Sequence, residues 1–146
     1  GNHPAGAIGR ALVLKVSDIM RTGEALALVP PTATVMDAAL AMTASHGGSA
    51  IVVDRVGKLK GIFTDGDFRR VMAEKRGEAI DVGACLASPV SAYMTAKPSF
   101  VYSDAYAADL LKVFERKRID DLPVCDRKGK VVGIVDLQDL PKMKVL

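Results

Sequence analysis

Asp54-Arg-Val-Gly-Lys-Leu-Lys-Gly-Ile-Phe63 returns later in the chain as Asp126-Arg-Lys-Gly-Lys-Val-Val-Gly-Ile-Val135. A second block, Val16-Ser-Asp-Ile-Met20, returns as Val90-Ser-Ala-Tyr-Met94. Two agreeing blocks in the same order define an internal repeat, and the fold follows from it. Between its blocks repeat one is longer by two residues, which places an insertion near Thr22-Gly23 or Pro30-Pro31. Upstream of the quoted stretch, Val35, Ala38, Ala39 and Met42 fall at helical spacing within 34–45, as do Leu110, Leu111 and Phe114 within 107–115. Each helix leads into an apolar strand, 50–53 or 122–125, then a turn at Gly57 or Gly129, then a second strand, 59–63 or 131–135. Residues 68–75, free of Pro and Gly, close repeat one as a helix. The order in each repeat is strand, helix, strand, strand, helix.

The fold class is therefore α/β, a tandem repeat of two small sheets flanked by helices. Residues 1–15 precede the repeats, 16–76 form repeat one, 77–89 a connector of small residues, and 90–146 repeat two. A unit of about 55 residues cannot bury both faces of a small sheet alone. The two repeats are expected to pack face to face about a pseudo-twofold axis, leaving a crevice between them.

Composition narrows the function. Charged residues make up 25% of the chain, and the net charge of +3 falls short of the concentrated basic face of a nucleic-acid binder. Aromatic residues are sparse and Trp is absent, so bases have little to stack on. Cys85 and Cys125 are too few for a disulfide framework or a zinc site, which fits a reducing cytoplasm. Apolar runs such as 49–53 are far shorter than the roughly 20 residues that span a bilayer, and no charged-then-apolar leader is read at the start. A cytoplasmic location without membrane or nucleic-acid partners is expected.

Gly61-Ile-Phe-Thr-Asp-Gly-Asp-Phe-Arg-Arg70 carries the candidate chemistry. Thr64 and Asp67 fit a capping box, in which hydroxyl and carboxylate satisfy free amides at a helix start. The same residues also suit a ligand. Gly61 permits close backbone approach, the helix N-terminus offers amides to an anion, and Asp67 is able to accept bonds from ribose hydroxyls. Asp65 lies between them, and Arg69 and Arg70 follow for a phosphate or carboxylate, although two Arg equally make a solvated helix face. Repeat two reads Gly133-Ile-Val-Asp-Leu-Gln-Asp139. Asp136 replaces the hydroxyl and repels phosphate, Asp120 and Asp121 add negative charge, and Pro141 follows soon after. One good site is expected, with Asp139 left to bind sugar hydroxyls. Thr22, Glu24, Ser49 and Lys97 are placed beside the pocket by repeat logic.

Paired repeats with a Gly-to-Thr-to-Asp element after the second strand resemble the CBS-domain pair, or Bateman module, over residues 16–140. In that family Thr or Ser and Asp contact the phosphate and ribose of a nucleotide, which implies those roles for Thr64 and Asp67. A more specific resemblance combines His3-Pro-Ala-Gly-Ala-Ile-Gly-Arg10, Val16-Ser-Asp-Ile-Met20 and Thr64-Asp-Gly-Asp67 with Arg69-Arg70. It is similar to the C-terminal part of D-arabinose-5-phosphate isomerases of the KpsF/GutQ group, which carry an N-terminal sugar-isomerase (SIS) domain. The resemblance implies that residues 1–15 lead from such a domain and that His3 matches a His used in proton transfer. His3 lacks the Lys and Glu partners that the SIS domain supplies, so no isomerase activity is expected of this stretch alone, and no cofactor or metal. His46 precedes Gly47-Gly48, as a helix C-cap does.

Three readings follow. The first is a regulatory module whose nucleotide-type ligand shifts an attached isomerase. The resemblance to enzymes at the start of Kdo synthesis for lipopolysaccharide implies CMP-Kdo as an end-product effector, with AMP or ATP the competing ligands. The second is a structural dimerisation module, since CBS pairs commonly associate in twos. The third, an enzyme in itself, requires partners for His3 that the sequence does not offer.

Overall fold

The computed structural model describes residues 13–75 and 82–145. Helix α1 (Val16–Ile19) opens the described chain, followed by a 3-10 turn at Gly23–Ala25 and strand β1 (Leu28–Val29). Helix α2 (Val35–Ser45), strands β2 (Ser49–Val53) and β3 (Leu59–Thr64) and helix α3 (Asp65–Lys75) complete the first repeat. Helix α4 (Val82–Leu86), a 3-10 turn at Val90–Ala92 and strand β4 (Thr95–Ala96) come next. The second repeat continues with β5 (Val101–Tyr102), α5 (Leu110–Lys117), β6 (Asp121–Cys125), β7 (Val131–Asp136) and α6 (Lys142–Val145).

These elements divide into two compact units that interleave along the chain. One runs from Gly23 to Pro98, and the other combines residues through Thr22 with residues from Ser99 onward. The leading block of each repeat thus joins the sheet of the other: Thr95 pairs with Ile62, and Arg21 bridges to Ile134. Met94 and Met20 explain the two matching glycines. A Cβ on Gly61 would fall 2.9 Å from the Thr95 carbonyl oxygen and onto the Met94 sulfur, and one on Gly133 would fall 2.5 Å from the Met20 sulfur. The two extra residues of repeat one lie in the turn at Gly23–Ala25, because Met20 matches Met94 whereas Leu28 matches Phe100.

In the unit holding the first repeat, the sheet runs β1-β2-β3-β4, with β1 parallel to β2 and the rest antiparallel. Thr34 caps α2: its hydroxyl accepts from the Asp37 amide at 3.0 Å, and the Asp37 carboxylate returns the bond to the Thr34 amide. His46 ends the helix in the left-handed region at φ 56, its amide donating to the carbonyls of Met42 and Thr43. Val35, Ala38 and Met42 of α2 pack with Ala50, Val52 and Phe63 of the sheet and with Val90. The ring of Phe68 meets Phe63 edge-on at 6.5 Å.

The other unit repeats the plan with sheet order β5-β6-β7. Its core joins Val16 and Ile19 to Ala107, Leu110, Phe114, Leu122, Val124 and Val135. The helix expected over 107–115 begins as a 3-10 turn at Ala107–Asp109 and runs on to Lys117, where Arg118 ends it at φ 53. Both hairpins use one device. Asp54 accepts from the amides of Val56 and Lys58, Asp126 from those of Lys128 and Lys130, and Gly57 and Gly129 take φ of 86 and 87, which suits Gly alone.

Cys125 closes β6, and burial, reinforced by the Asp126 charge, pushes its thiol up to about 11. A thiol freed by unfolding ionises at about 8.5, so its contribution to stability is complete below that pH and is lost as pH rises towards the folded value. Iodoacetamide at about pH 8 should label Cys125 only as fast as the chain unfolds. Labelling of the native protein at the rate of a free thiol would contradict this.

Candidate functional site

The Thr64–Asp67 element forms where β3 delivers the chain into α3. The Thr64 hydroxyl accepts from the Asp67 amide at 3.0 Å, and Asp67 Oδ2 accepts from the Thr64 amide at 2.9 Å. The capping box is therefore complete. Asp67 Oδ1 takes a bond from Arg70, and Asp65 takes one from Arg69 at 2.8 Å. Both Arg side chains extend into solvent, at 71% and 63% exposed, so these pairs contribute little to stability. Asp67 itself is 12% exposed.

Strand register adds Ser49 to this corner. Ser49 faces Thr64 across β2 and β3, and it is buried. The Asp65 amide donates to the Gly48 carbonyl at 2.8 Å, fixing the strand end against the helix start. Gly61 lies further down β3, opposite Ala96, and the Lys97 amide donates to the Lys60 carbonyl at 3.3 Å. Lys97 is exposed and left-handed at φ 50, where its repeat counterpart is Gly23 at φ 60. Thr22 and Glu24 are exposed. Thr22 and Asp139 belong to the other unit, and His3 lies outside the described residues.

Repeat two builds the same corner from different chemistry. Asp121 faces Asp136 across β6 and β7, two carboxylates where repeat one has two hydroxyls. Asp136 Oδ1 accepts from the Gln138 amide at 2.8 Å, and Asp139 Oδ2 accepts from the Asp136 amide at 2.9 Å. Asp136 leads into a 3-10 turn at Leu137–Asp139, and Pro141 then precedes α6. Asp139 is only 1% exposed, and its Oδ1 receives Arg21 Nε and Nη2, both at 2.9 Å, and Lys142 Nζ at 3.1 Å. Arg21 carries no motif. The signal that would have found it is the comparison of Arg21 with Thr95, its counterpart after the repeated Met.

Further along, Arg127 grips Asp104 through two bonds at 2.9 and 2.8 Å and lies 4.0 Å over the Tyr102 ring. The Arg127 guanidinium beside Asp104 holds its carboxyl below the usual range. A pocket of about 250 Å³ on α5, lined by Asp109, Lys112, Val113, Arg116 and Lys117, includes none of the candidate residues. Among the described residues no three His, Cys, Asp or Glu side chains group to hold a metal, and no helix is long and apolar enough to cross a membrane.

The CBS-domain family model matches residues 16–74 and 90–142, and the chain belongs to this family as a pair of CBS repeats. It is 36% identical over 138 residues to arabinose 5-phosphate isomerase GutQ of Escherichia coli (strain K12), covering 94% of this chain and 40% of that protein. It is 39% identical over 145 residues to arabinose 5-phosphate isomerase KdsD of Pseudomonas aeruginosa, covering 99% of this chain and 42% of that protein. The chain thus spans about two fifths of the length of these curated relatives. Among solved structures, the CBS domain protein PAE2072 from Pyrobaculum aerophilum, complexed with AMP, superposes with a TM-score of 0.74 at 19% identity. The match covers 86% of this chain and 89% of that one, and it shows the fold.

Proposed function

We propose that this CBS pair is the regulatory part of an arabinose-5-phosphate isomerase and that it binds a nucleotide-type effector at the Thr64–Asp67 corner. The attached SIS domain carries the chemistry, and His3 belongs with that domain. The observation that carries the reading is the pairing of Ser49 with Thr64, against Asp121 with Asp136 in repeat two. Hydroxyls beside a helix N-terminus tolerate a phosphate, whereas paired carboxylates repel one. Asp67 would accept ribose hydroxyls once Arg70 turns outward to the anion, with Asp65 and Arg69 flanking, whereas the space over Gly61 is taken by the Met94 side chain rather than left for a ligand. Lys97 supports the reading, because a Lys kept in the left-handed region costs about 1 kcal/mol that its counterpart Gly23 avoids. CMP-Kdo, an end product of the pathway that such isomerases begin, is the effector favoured by that pathway.

An adenine-nucleotide sensor is the second reading, favoured by the AMP complex of the Pyrobaculum aerophilum protein. Thermal melting with CMP-Kdo, CMP, AMP, ATP and arabinose 5-phosphate separates the two. A ligand at about 100 times its dissociation constant stabilises by about 2.7 kcal/mol, which the melting midpoint reports. A rise with CMP-Kdo supports feedback sensing, and a rise confined to AMP or ATP transfers the site to energy sensing. A flat series leaves the corner as a helix cap and the pair as a dimerisation device. In the binding variant, Thr64→Asp should weaken affinity by about tenfold or more, and Asp67→Ala should weaken it further than Asp67→Asn, which keeps a capping acceptor. Unchanged affinity in all three would move the site elsewhere.

A further inference from the structure

We infer that Arg21 is an internal occupant of the second repeat's carboxylate, and that Thr95, at the equivalent place, is what leaves Asp67 open to a ligand. Arg21 and Thr95 each follow the repeated Met and pair with the strand after the hairpin. The Arg21 amide donates to the Ile134 carbonyl at 2.8 Å, and Thr95 pairs with Ile62 in the same register. From that position the Arg21 side chain reaches Asp139 Oδ1 with both Nε and Nη2. With Oδ2 held by the Asp136 amide, both carboxylate oxygens are committed inside the fold. Asp67 has no such partner from the neighbouring strand, because Thr95 is too short to supply a cation. Its only cation among the described contacts is Arg70, from its own helix and mostly in solvent.

A guanidinium placed on a ribose-binding carboxylate competes directly with sugar hydroxyls, and a bond between opposite charges is the stronger of the two. The second repeat is thus closed by the chain's own side chain, and one ligand binds per chain, in repeat one. This stoichiometry rests on the nucleotide reading above, whereas the Arg21–Asp139 lock does not.

Two measurements keep the ideas apart. Calorimetric titration uses AMP and CMP as probes on the wild type, Thr95→Arg and Arg21→Thr. Thr95 is exposed, so Thr95→Arg should fold normally, and it should weaken the repeat-one site by about tenfold or more by pairing with Asp67. Arg21→Thr should keep the wild-type affinity at that site. Full binding by Thr95→Arg, or two wild-type sites with one removed by Asp139→Asn, overturns the inference and spares the proposed function. Binding of neither probe by any variant counts against the nucleotide reading, and the lock is then judged by urea denaturation of Arg21→Thr, Asp139→Asn and the double variant. Each single change should lower the folding constant by about tenfold or more, and the double should cost clearly less than the product. Additive losses would overturn the lock.

Discussion

Gly133→Val should lower the unfolding free energy by about 2 to 3 kcal/mol, the upper part of the range for overpacking a close contact. For a domain of this length that is a fall in melting midpoint of roughly 4 to 12 °C. A Cβ at this position would lie 2.5 Å from the Met20 sulfur, 2.9 Å from its Cγ and 3.0 Å from the Arg21 carbonyl oxygen. A Met end swings aside readily, but Cγ lies close to the main chain, and the Arg21 carbonyl is held by the Ile134 amide at 3.1 Å. The strand pairing must therefore separate, and the α1 segment with it. Calorimetric melting checks the result, and Met20→Ala in the same background should recover part of the loss by vacating the space. A melting midpoint within about 1 °C of wild type would show that the Met20 contact does not fix this register.

The same glycine shows what the sequence makes legible and what it hides. Both matching blocks are visible because local chemistry repeats: Asp54 and Gly57, like Asp126 and Gly129, are needed by a turn spanning a few residues. Thr64 and Asp67 are visible for the same reason, since a capping box is written within four consecutive positions. Gly61 and Gly133 are visible as repeats, yet the partner that demands them is remote. Met94 and Met20 come from the leading block of the other repeat, and nothing local says which sheet that block joins. The joining of α1 to the core of the second repeat therefore escapes a reading of each repeat by itself, as does the Arg21–Asp139 pair that depends on it. Repeat logic alone places Ser49 beside the pocket. What the register adds is its opposite number, Thr64, and the contrast with Asp121 and Asp136.

Asp139→Ala should cost about 3 kcal/mol in urea denaturation, against about 1 kcal/mol for Asp67→Ala. The two carboxylates share a capping role, each accepting from an amide three residues back at 2.9 Å. They differ in burial and in partners. Asp139 is 1% exposed and gathers Arg21 and Lys142, whereas the cation that Asp67 meets among the described residues is the well-solvated Arg70. Removing Asp139 strands the Arg21 guanidinium, but that group retains 23% exposure and Lys142 retains 48%, so water recovers part of the loss. The cost accordingly falls at the low end for a broken buried pair rather than the high end. Asp139→Asn should be intermediate, because an amide oxygen still caps the Asp136 amide while the charge is gone. Equal losses at 67 and 139 would mean that the ion pair adds nothing beyond the cap. A larger loss at 139 would mean that one repeat has turned its carboxylate into structure, leaving the other able to exchange its surface partner for a ligand.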